Sequence, residues 1–207
     1  KIIFCQRFVI VSACLGSAKG RGNVEMNGAQ ALMSAASSSG IDICFANPGT
    51  TELAMIEALD KNKSIRPILS LFEGVCSGAA DGFGRMLGRP AMTLLHLGPG
   101  FANAIANLHN ARRAHSPILN IIGDHATWHV DYDPPLASDI ESLAQPVSDW
   151  FAYARNTDDC MLKIYDGIEA CISAPAKIST LVVPTDVQEG SYDISNILSV
   201  VPLANKN

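Results

Sequence analysis

Ala91-Met92-Thr93-Leu94-Leu95-His96-Leu97, then Gly98-Pro99-Gly100, then Phe101-Ala102-Asn103-Ala104-Ile105, is the stretch whose reading sets the fold. A mostly apolar run of strand length stops at a Gly-Pro-Gly cluster, and a helix-length segment over 101–114 comes after it, with Phe101, Ile105 and Leu108 on one stripe. Residues 118–122 are apolar again, which completes a strand, helix, strand unit. The same alternation extends outward in both directions. On the N-terminal side it predicts a helix over 28–38 ending at Gly40, a strand over 41–46 running into Asn47-Pro48-Gly49-Thr50, and a helix over 51–60. A strand over 67–72 and a helix over 74–87 ending at Gly88 come next. On the C-terminal side it predicts a short helix over 139–144, a strand over 149–154, a helix over 158–173 and a strand over 178–183. The strands are nearly continuous apolar runs, as strands covered on both faces are. The expected fold is therefore α/β: a doubly wound, about six-stranded parallel sheet with helices on both faces.

Composition bounds the rest. The 207 residues are 48% hydrophobic and 17% charged, enough for one sizeable core, with no internal repeat and no linker long enough to divide the chain. Fifteen Lys and Arg against 20 Asp and Glu leave a formal charge of -5, without a basic run. Nucleic acid is thus a poor candidate partner. No apolar stretch reaches the roughly 18 residues that span a bilayer, so a membrane partner is not expected either. Cys5, Cys14, Cys44, Cys76, Cys160 and Cys171 form no C-x-x-C pair and no metal-binding spacing, and read as reduced, mostly buried thiols.

Residues 1–25 differ in composition from the rest of the chain. Lys1, Arg7, Lys19 and Arg21 surround a short apolar run from Phe8 to Leu15, with Glu25 the single acid, which is the composition of a targeting segment. Val11-Ser12-Ala13-Cys14 has the form of a lipoprotein cleavage site, but the apolar segment before it is short. The favoured reading is a leader or truncated transit segment outside the fold, with Met26 as the natural start. The folded domain is expected over 26–190, with a linker over 191–207 after it.

In such sheets ligands gather where strands end and helices begin, because helix N-termini carry unpaired N–H groups and a positive dipole end. Three junctions stand out: Asn47-Pro48-Gly49-Thr50, Phe72-Glu73-Gly74 and His96-Leu97-Gly98-Pro99-Gly100. Glu73 comes directly after an apolar strand. It is either a helix-capping acid or a carboxyl held in an apolar pocket, where desolvation lets it give and take a proton near neutral pH. Gly74, Gly78 and Gly82 recur every four residues along one helix, at a cost of about 0.5 to 1 kcal/mol each relative to Ala. Close approach of another helix would offset that cost, either from a second copy of the chain or from within the monomer. Asn103, Asn107 and Asn110 share a polar stripe suited to hydrogen bonding toward a ligand or a subunit seam. Gly82-Phe83-Gly84 with Gly88 is not a dinucleotide fingerprint, since it lies inside a helix and no acid occurs between Asp81 and Asp124.

Taken in order, these motifs, with Ala79-Ala80-Asp81-Gly82-Phe83-Gly84-Arg85 after the Glu73 junction, resemble the N-terminal, pyrimidine-binding domain of thiamine diphosphate enzymes. The resemblance runs from Met26 to about Gly190 and is to the acetolactate synthase large-subunit group and its benzoylformate decarboxylase-like relatives. It implies that Glu73 hydrogen-bonds N1′ of the cofactor's aminopyrimidine and promotes the imino form, whose N4′ removes the thiazolium C2 proton. The resulting carbon nucleophile attacks a 2-oxo acid. It further implies that Pro48 and Gly49 pack near the pyrimidine, and that Gly98, Pro99, Gly100 and Asn103 line the pocket edge. His125 and His129, past another strand end, are candidate substrate contacts, although surface histidines would look the same.

The departures are as informative. The family's C-terminal domain, which holds Mg²⁺ and the diphosphate through a Gly-Asp-Gly motif and paired asparagines, has no counterpart here, and neither does the middle domain. The expectation is therefore an inactive fragment of an enzyme that decarboxylates a 2-oxo acid, carboligates the product and serves branched-chain amino acid biosynthesis. Mg²⁺ would enter only through the missing domain, FAD could belong to the complete enzyme, and a dimer or tetramer would form through the Gly74-Gly78-Gly82 helix. The resemblance implies a cytoplasmic location, or a plastid or mitochondrion if the source is eukaryotic and residues 1–25 are a transit segment. A non-catalytic module that pairs with a separate diphosphate-binding chain and an unrelated flavodoxin-like binding protein remain as alternatives.

Overall fold

The computed structural model describes residues 25–193; the leader reading of 1–25 lies outside them except at Glu25, which belongs to the first strand rather than to a leader, and the linker reading of 191–207 lies outside them from residue 194 on. In chain order the elements are β1 (Glu25–Asn27), α1 (Gly28–Ser38), β2 (Ile43–Asn47), α2 (Leu53–Lys61), β3 (Arg66–Leu69), α3 (Glu73–Leu87), β4 (Ala91–His96) and α4 (Leu97–Arg113). Then come β5 (Ile118–Asp124), α5 (Ile140–Ala144), β6 (Trp150–Tyr153), α6 (Thr157–Ile172), β7 (Ile178–Pro184), α7 (Thr185–Glu189) and β8 (Ser191–Asp193).

Six strands form one sheet in the order β3-β2-β4-β5-β7-β6, and every pair in it is parallel. Successive side chains along a strand point to opposite faces, so each central strand feeds two cores. Met92, Leu94, Leu119, Ile121, Leu181 and Val183 face the layer made by α1, α2, α6 and α7. Ala91, Leu95, Ile118, Ile122, Ile178 and Val182 face α3, α4 and α5. Each such Leu or Ile removed from water contributes about 1.5 to 3 kcal/mol, which makes these strands the stable frame of the molecule. The second face also carries a buried polar row. Thr93 Oγ1 donates to Asn120 Oδ1 at 2.7 Å, Asn120 Nδ2 donates to Thr180 Oγ1 at 3.1 Å, and the Ser148 and Thr180 hydroxyls lie 2.6 Å apart. Pairing each polar group avoids the cost of burying it alone.

Four local readings need correction. The strand expected over 67–72 is the short edge strand β3, and it is not an apolar run covered on both faces: Leu69 is 73% exposed. Gly98-Pro99-Gly100 is not a turn ahead of a helix but the first turn of α4 itself, entered through Leu97 at φ 53°. Proline tolerates this location because first-turn N–H groups have no partner within the helix. The helix expected from 51 begins as a 3-10 turn, Thr50–Glu52. Residues 191–193 do not start a linker: they pair antiparallel with Glu25–Asn27, and Gly28 N–H donates to Gly190 O at 2.8 Å. Backbone pairing of this kind needs no side-chain period, so it left no pattern to read.

The strand order also locates the cleft. The chain leaves β2 outward to β3 and returns past it to β4, so the segments leaving the C-terminal ends of β2 and β4 depart to opposite faces. That divergence opens a crevice, the place where ligands bind in sheets of this type.

Candidate functional site

Glu73 is the first residue of α3 and is 9% exposed. Its carboxyl is fixed from α4: Asn103 Nδ2 donates to Oε2 at 3.0 Å. Oε1 makes no hydrogen bond among the described residues. It faces Gly100, where a Cβ would come within 3.0 Å of Oε1 and 3.4 Å of His96 Cβ. The start of α3 is held against the middle of α4 by further bonds. Asn107 Nδ2 donates to Gly74 O at 2.6 Å, and Ser77 Oγ donates to Ala104 O at 3.0 Å. Two of the three striped asparagines thus serve the α3–α4 seam within the monomer. Gly78 serves the same seam, for a Cβ there would meet Asn107 Nδ2 of α4 at 3.2 Å, whereas a Cβ on Gly74 would first meet the Phe72 ring at 2.5 Å and then Asn103 O of α4 at 3.3 Å. At Gly82 a Cβ would meet nothing within 4 Å.

The β2 junction forms the opposite wall. Asn47 Nδ2 donates to Ser70 O at 2.7 Å, tying the loop to the end of β3. Gly49 lies against the His96 imidazole so closely that a Cβ would fall 2.4 Å from its Cε1. Pro48 is half-buried in that loop. Beneath it sits Glu52, which the sequence reading missed. Glu52 is fully buried, accepts the Gly49 N–H at 2.7 Å and the Thr51 hydroxyl at 2.6 Å, and lies 2.8 Å from His96 Nδ1. A Cβ on Gly123 would come within 2.0 Å of its Oε1, so β5 approaches this acid through a glycine. The available signal was the spacing Gly49-Thr50-Thr51-Glu52, a cap residue with an acid three positions on. Gln188, also fully buried, donates to Thr51 O at 2.9 Å and Val183 O at 2.8 Å.

The cleft therefore gathers Gly49, Glu73, His96, Gly100 and Asn103. Gly98 is covered instead by the loop ahead of α5, with Ser138 Cβ 2.2 Å from where its own Cβ would stand, and Pro99 is exposed. His125 and His129 belong to a separate group on the loop after β5. His125 Nε2 lies 2.9 Å from Pro135 O, its ring meets His129 edge-on at 5.7 Å, and Trp128 stacks on His129 at 5.3 Å. Deeper at that end, Tyr153 donates to Asp124 Oδ2 at 2.7 Å, and burial together with that acid pushes the phenol well above its usual range.

Cys44, Cys76, Cys160 and Cys171 are free and buried, and burial raises all four thiols, that of Cys160 to about 12. Among the described residues no three His, Cys, Asp or Glu side chains cluster to hold a metal, and no helix is long and apolar enough to cross a membrane.

Fold and cleft together define a doubly wound α/β domain with a buried carboxyl at its topological switch point. Residues 26–148 match the family described as thiamine pyrophosphate enzyme, N-terminal TPP binding domain, and the chain belongs to that family. IlvX of Mycobacterium tuberculosis, named after the acetolactate synthase large subunit, is 51% identical over 162 residues, 78% of this chain and 31% of the relative. Benzoylformate decarboxylase of Pseudomonas aeruginosa is 31% identical over 148 residues, 71% of this chain and 28% of the relative. A solved thiamin diphosphate-dependent enzyme from Mycobacterium smegmatis superposes with a TM-score of 0.75 at 25% identity, over 80% of this chain and 32% of its own. The chain spans about a third of the length of these proteins.

Proposed function

We propose that the cleft between the ends of β2 and β4 binds the aminopyrimidine of thiamine diphosphate, with the Glu73 carboxyl hydrogen-bonded to N1′ of the ring. The observation that carries this reading is Glu73 itself: a nearly buried acid at the start of a long helix, one oxygen fixed by Asn103 and the other without a partner among the described residues. Pro48 and Gly49 would lie along one side of the ring and Gly100 along the other, where side chains larger than glycine would intrude on His96 and Glu73. When bound, thiamine diphosphate supplies a carbon nucleophile that attacks a 2-oxo acid and accommodates the electron pair left when CO₂ departs. This chain's part is to hold the ring, keep water from the Glu73 carboxyl and pass a proton at N1′.

Diphosphate and Mg²⁺ would be held by protein beyond the described residues, or by another chain, and the reaction of the whole would be decarboxylation of a 2-oxo acid with carboligation of the product. Association of two copies through the outer side of α3 fits this reading. Val75 is 54% and Met86 81% exposed there, and Gly82 on the same helix has open space before it. Thiamine diphosphate binding followed by calorimetry tests the proposal: weak binding is expected, lost in Glu73→Ala and reduced in Glu73→Gln. Binding unaffected by both substitutions would refute it. Given pyruvate, thiamine diphosphate and Mg²⁺, the 207-residue chain alone is expected to form no acetolactate.

A further inference from the structure

Glu73 stands at a helix start that its own neighbours do little to hold. Phe72, the residue ahead of α3, supplies no side-chain cap, and Leu71 before it is 93% exposed. An uncapped first turn frays, because its N–H groups have no partner within the helix. What fixes this turn comes from α4. Asn103 Nδ2 donates to Glu73 Oε2 at 3.0 Å, and Asn107 Nδ2 donates to Gly74 O at 2.6 Å. Asn103 and Asn107 are one turn apart on a single face of α4, and they meet two consecutive residues of α3. One hydrogen bond leaves a carboxyl free to swing about it, whereas two from one rigid helix fix both its place and its direction. The two bonds are unequal. Asn103 is exposed, so water competes for its bond, while Asn107 is half-buried and makes the shorter contact. Gly78 leaves room for that amide, since a Cβ there would stand 3.2 Å from Asn107 Nδ2.

We propose that Asn107 is a positioning residue for the Glu73 carboxyl: by holding Gly74 O from the face of α4 that also carries Asn103, it fixes the start of α3 so that Glu73 keeps its bond to Asn103 and presents Oε1 in front of Gly100. What Oε1 then receives rests on the proposed function, whereas the clamp stands on contacts within the chain. The space it controls is narrow, for a Cβ on Gly100 would already lie 3.0 Å from Oε1. Binding constellations work only within about 0.5 Å of their productive geometry, so a first turn of α3 released from Asn107 would lose the placement of Glu73 before the chain lost its fold. Ser77, which donates to Ala104 O at 3.0 Å, keeps the two helices packed in either case.

The test is a proton–nitrogen spectrum of the side-chain amides of the ¹⁵N-asparagine-labelled chain without cofactor. Glu73→Ala marks where the Asn103 amide resonates once its carboxyl partner is gone, and Asn107→Ala is expected to move the Asn103 amide toward that position. An Asn103 amide unchanged in Asn107→Ala overturns the proposal, as does a wild-type Asn103 amide indifferent to Glu73→Ala. Ala is the better helix former, so Asn107→Ala is expected to fold; Asn107→Ser is read in the same way if it does not. Thiamine diphosphate binding by calorimetry is the parallel measurement, with Asn107→Ala expected to weaken it by about two- to tenfold, the worth of one hydrogen bond, and Asn107→Gln, which keeps a donor, to restore part of the loss. Binding unchanged in Asn107→Ala but lost in Glu73→Ala overturns the positioning role. A moved Asn103 amide in a chain that binds no thiamine diphosphate in any form supports the clamp and counts against the cofactor site instead.

Discussion

Gly49 shows how narrowly the cleft is built. Its φ of -117° is open to any residue, so only space is at issue, and a methyl group there would overlap the His96 ring at 2.4 Å. Gly49→Ala should destabilise the chain by about 1 to 3 kcal/mol, the usual cost of overpacking, and should displace the His96 ring resonances, both measurable by denaturant unfolding and NMR. Asn103→Ala removes the side-chain donor to Glu73 while leaving the seam bond of Asn107 in place. It should weaken thiamine diphosphate binding with a loss of stability of about 1 kcal/mol, whereas a purely structural Asn103 would show the stability loss without the binding loss.

At the scale of the elements, α3 divides its residues between two neighbours. Its inner side, through Glu73, Gly74, Ser77 and Gly78, meets α4, so the repeated glycines are explained at two positions by packing within the monomer. Its outer side leaves Val75, Met86 and Leu87 exposed, and Leu69, Leu71 and Phe72 are exposed at and just after the end of the edge strand. An apolar surface on an unpaired strand edge and the adjoining helix favours association. The paired substitution Val75→Glu with Met86→Glu should leave the unfolding midpoint close to wild type, since both sites are exposed. It should also shift sedimentation toward the monomer; an unchanged sedimentation coefficient would place the interface elsewhere.

For the molecule as a whole, the buried thiols and phenols set the alkaline limit of stability. Cys160 has an ordinary value of 9.0 raised to about 12, Tyr165 one of 10.0 also raised to about 12, and Cys44, Cys171 and Tyr153 are pushed up in the same direction, chiefly by burial. These groups are uncharged when protonated. Above about pH 9 the unfolded chain therefore loses protons that the folded chain keeps, and stability falls as pH rises. Each buried cysteine adds up to about 1.4 kcal/mol per pH unit to that slope. Denaturant midpoints measured from about pH 7 to 11 should be insensitive to these groups below about pH 8 and drop steeply above about pH 9. For the same reason Cys44, Cys76, Cys160 and Cys171 should react with a thiol reagent at about pH 8 only once denaturant is added.

Sequence alone determined what depends on local period and punctuation. The apolar runs 91–97, 118–122 and 178–183 had to be covered on both faces, and the breaks at Gly40, Gly88 and Asn47-Pro48-Gly49 marked where the chain turns, so the parallel sheet and the position of Glu73 at a strand exit were legible. The edge position of β3 was not, because Leu69, Leu71 and Phe72 are as apolar as core residues and only the strand order leaves them uncovered. Nor was the β1–β8 ribbon, which is made by backbone groups. The partnership of Glu52 with His96 spans 44 positions and exists only because β2 and β4 lie side by side, bringing Gly49 against the imidazole, while β5 on the other side of β4 brings Gly123 against the carboxyl. Tertiary structure decided which of the chain's acids are buried and what holds them, since burial and hydrogen-bond donors come from elements distant along the chain.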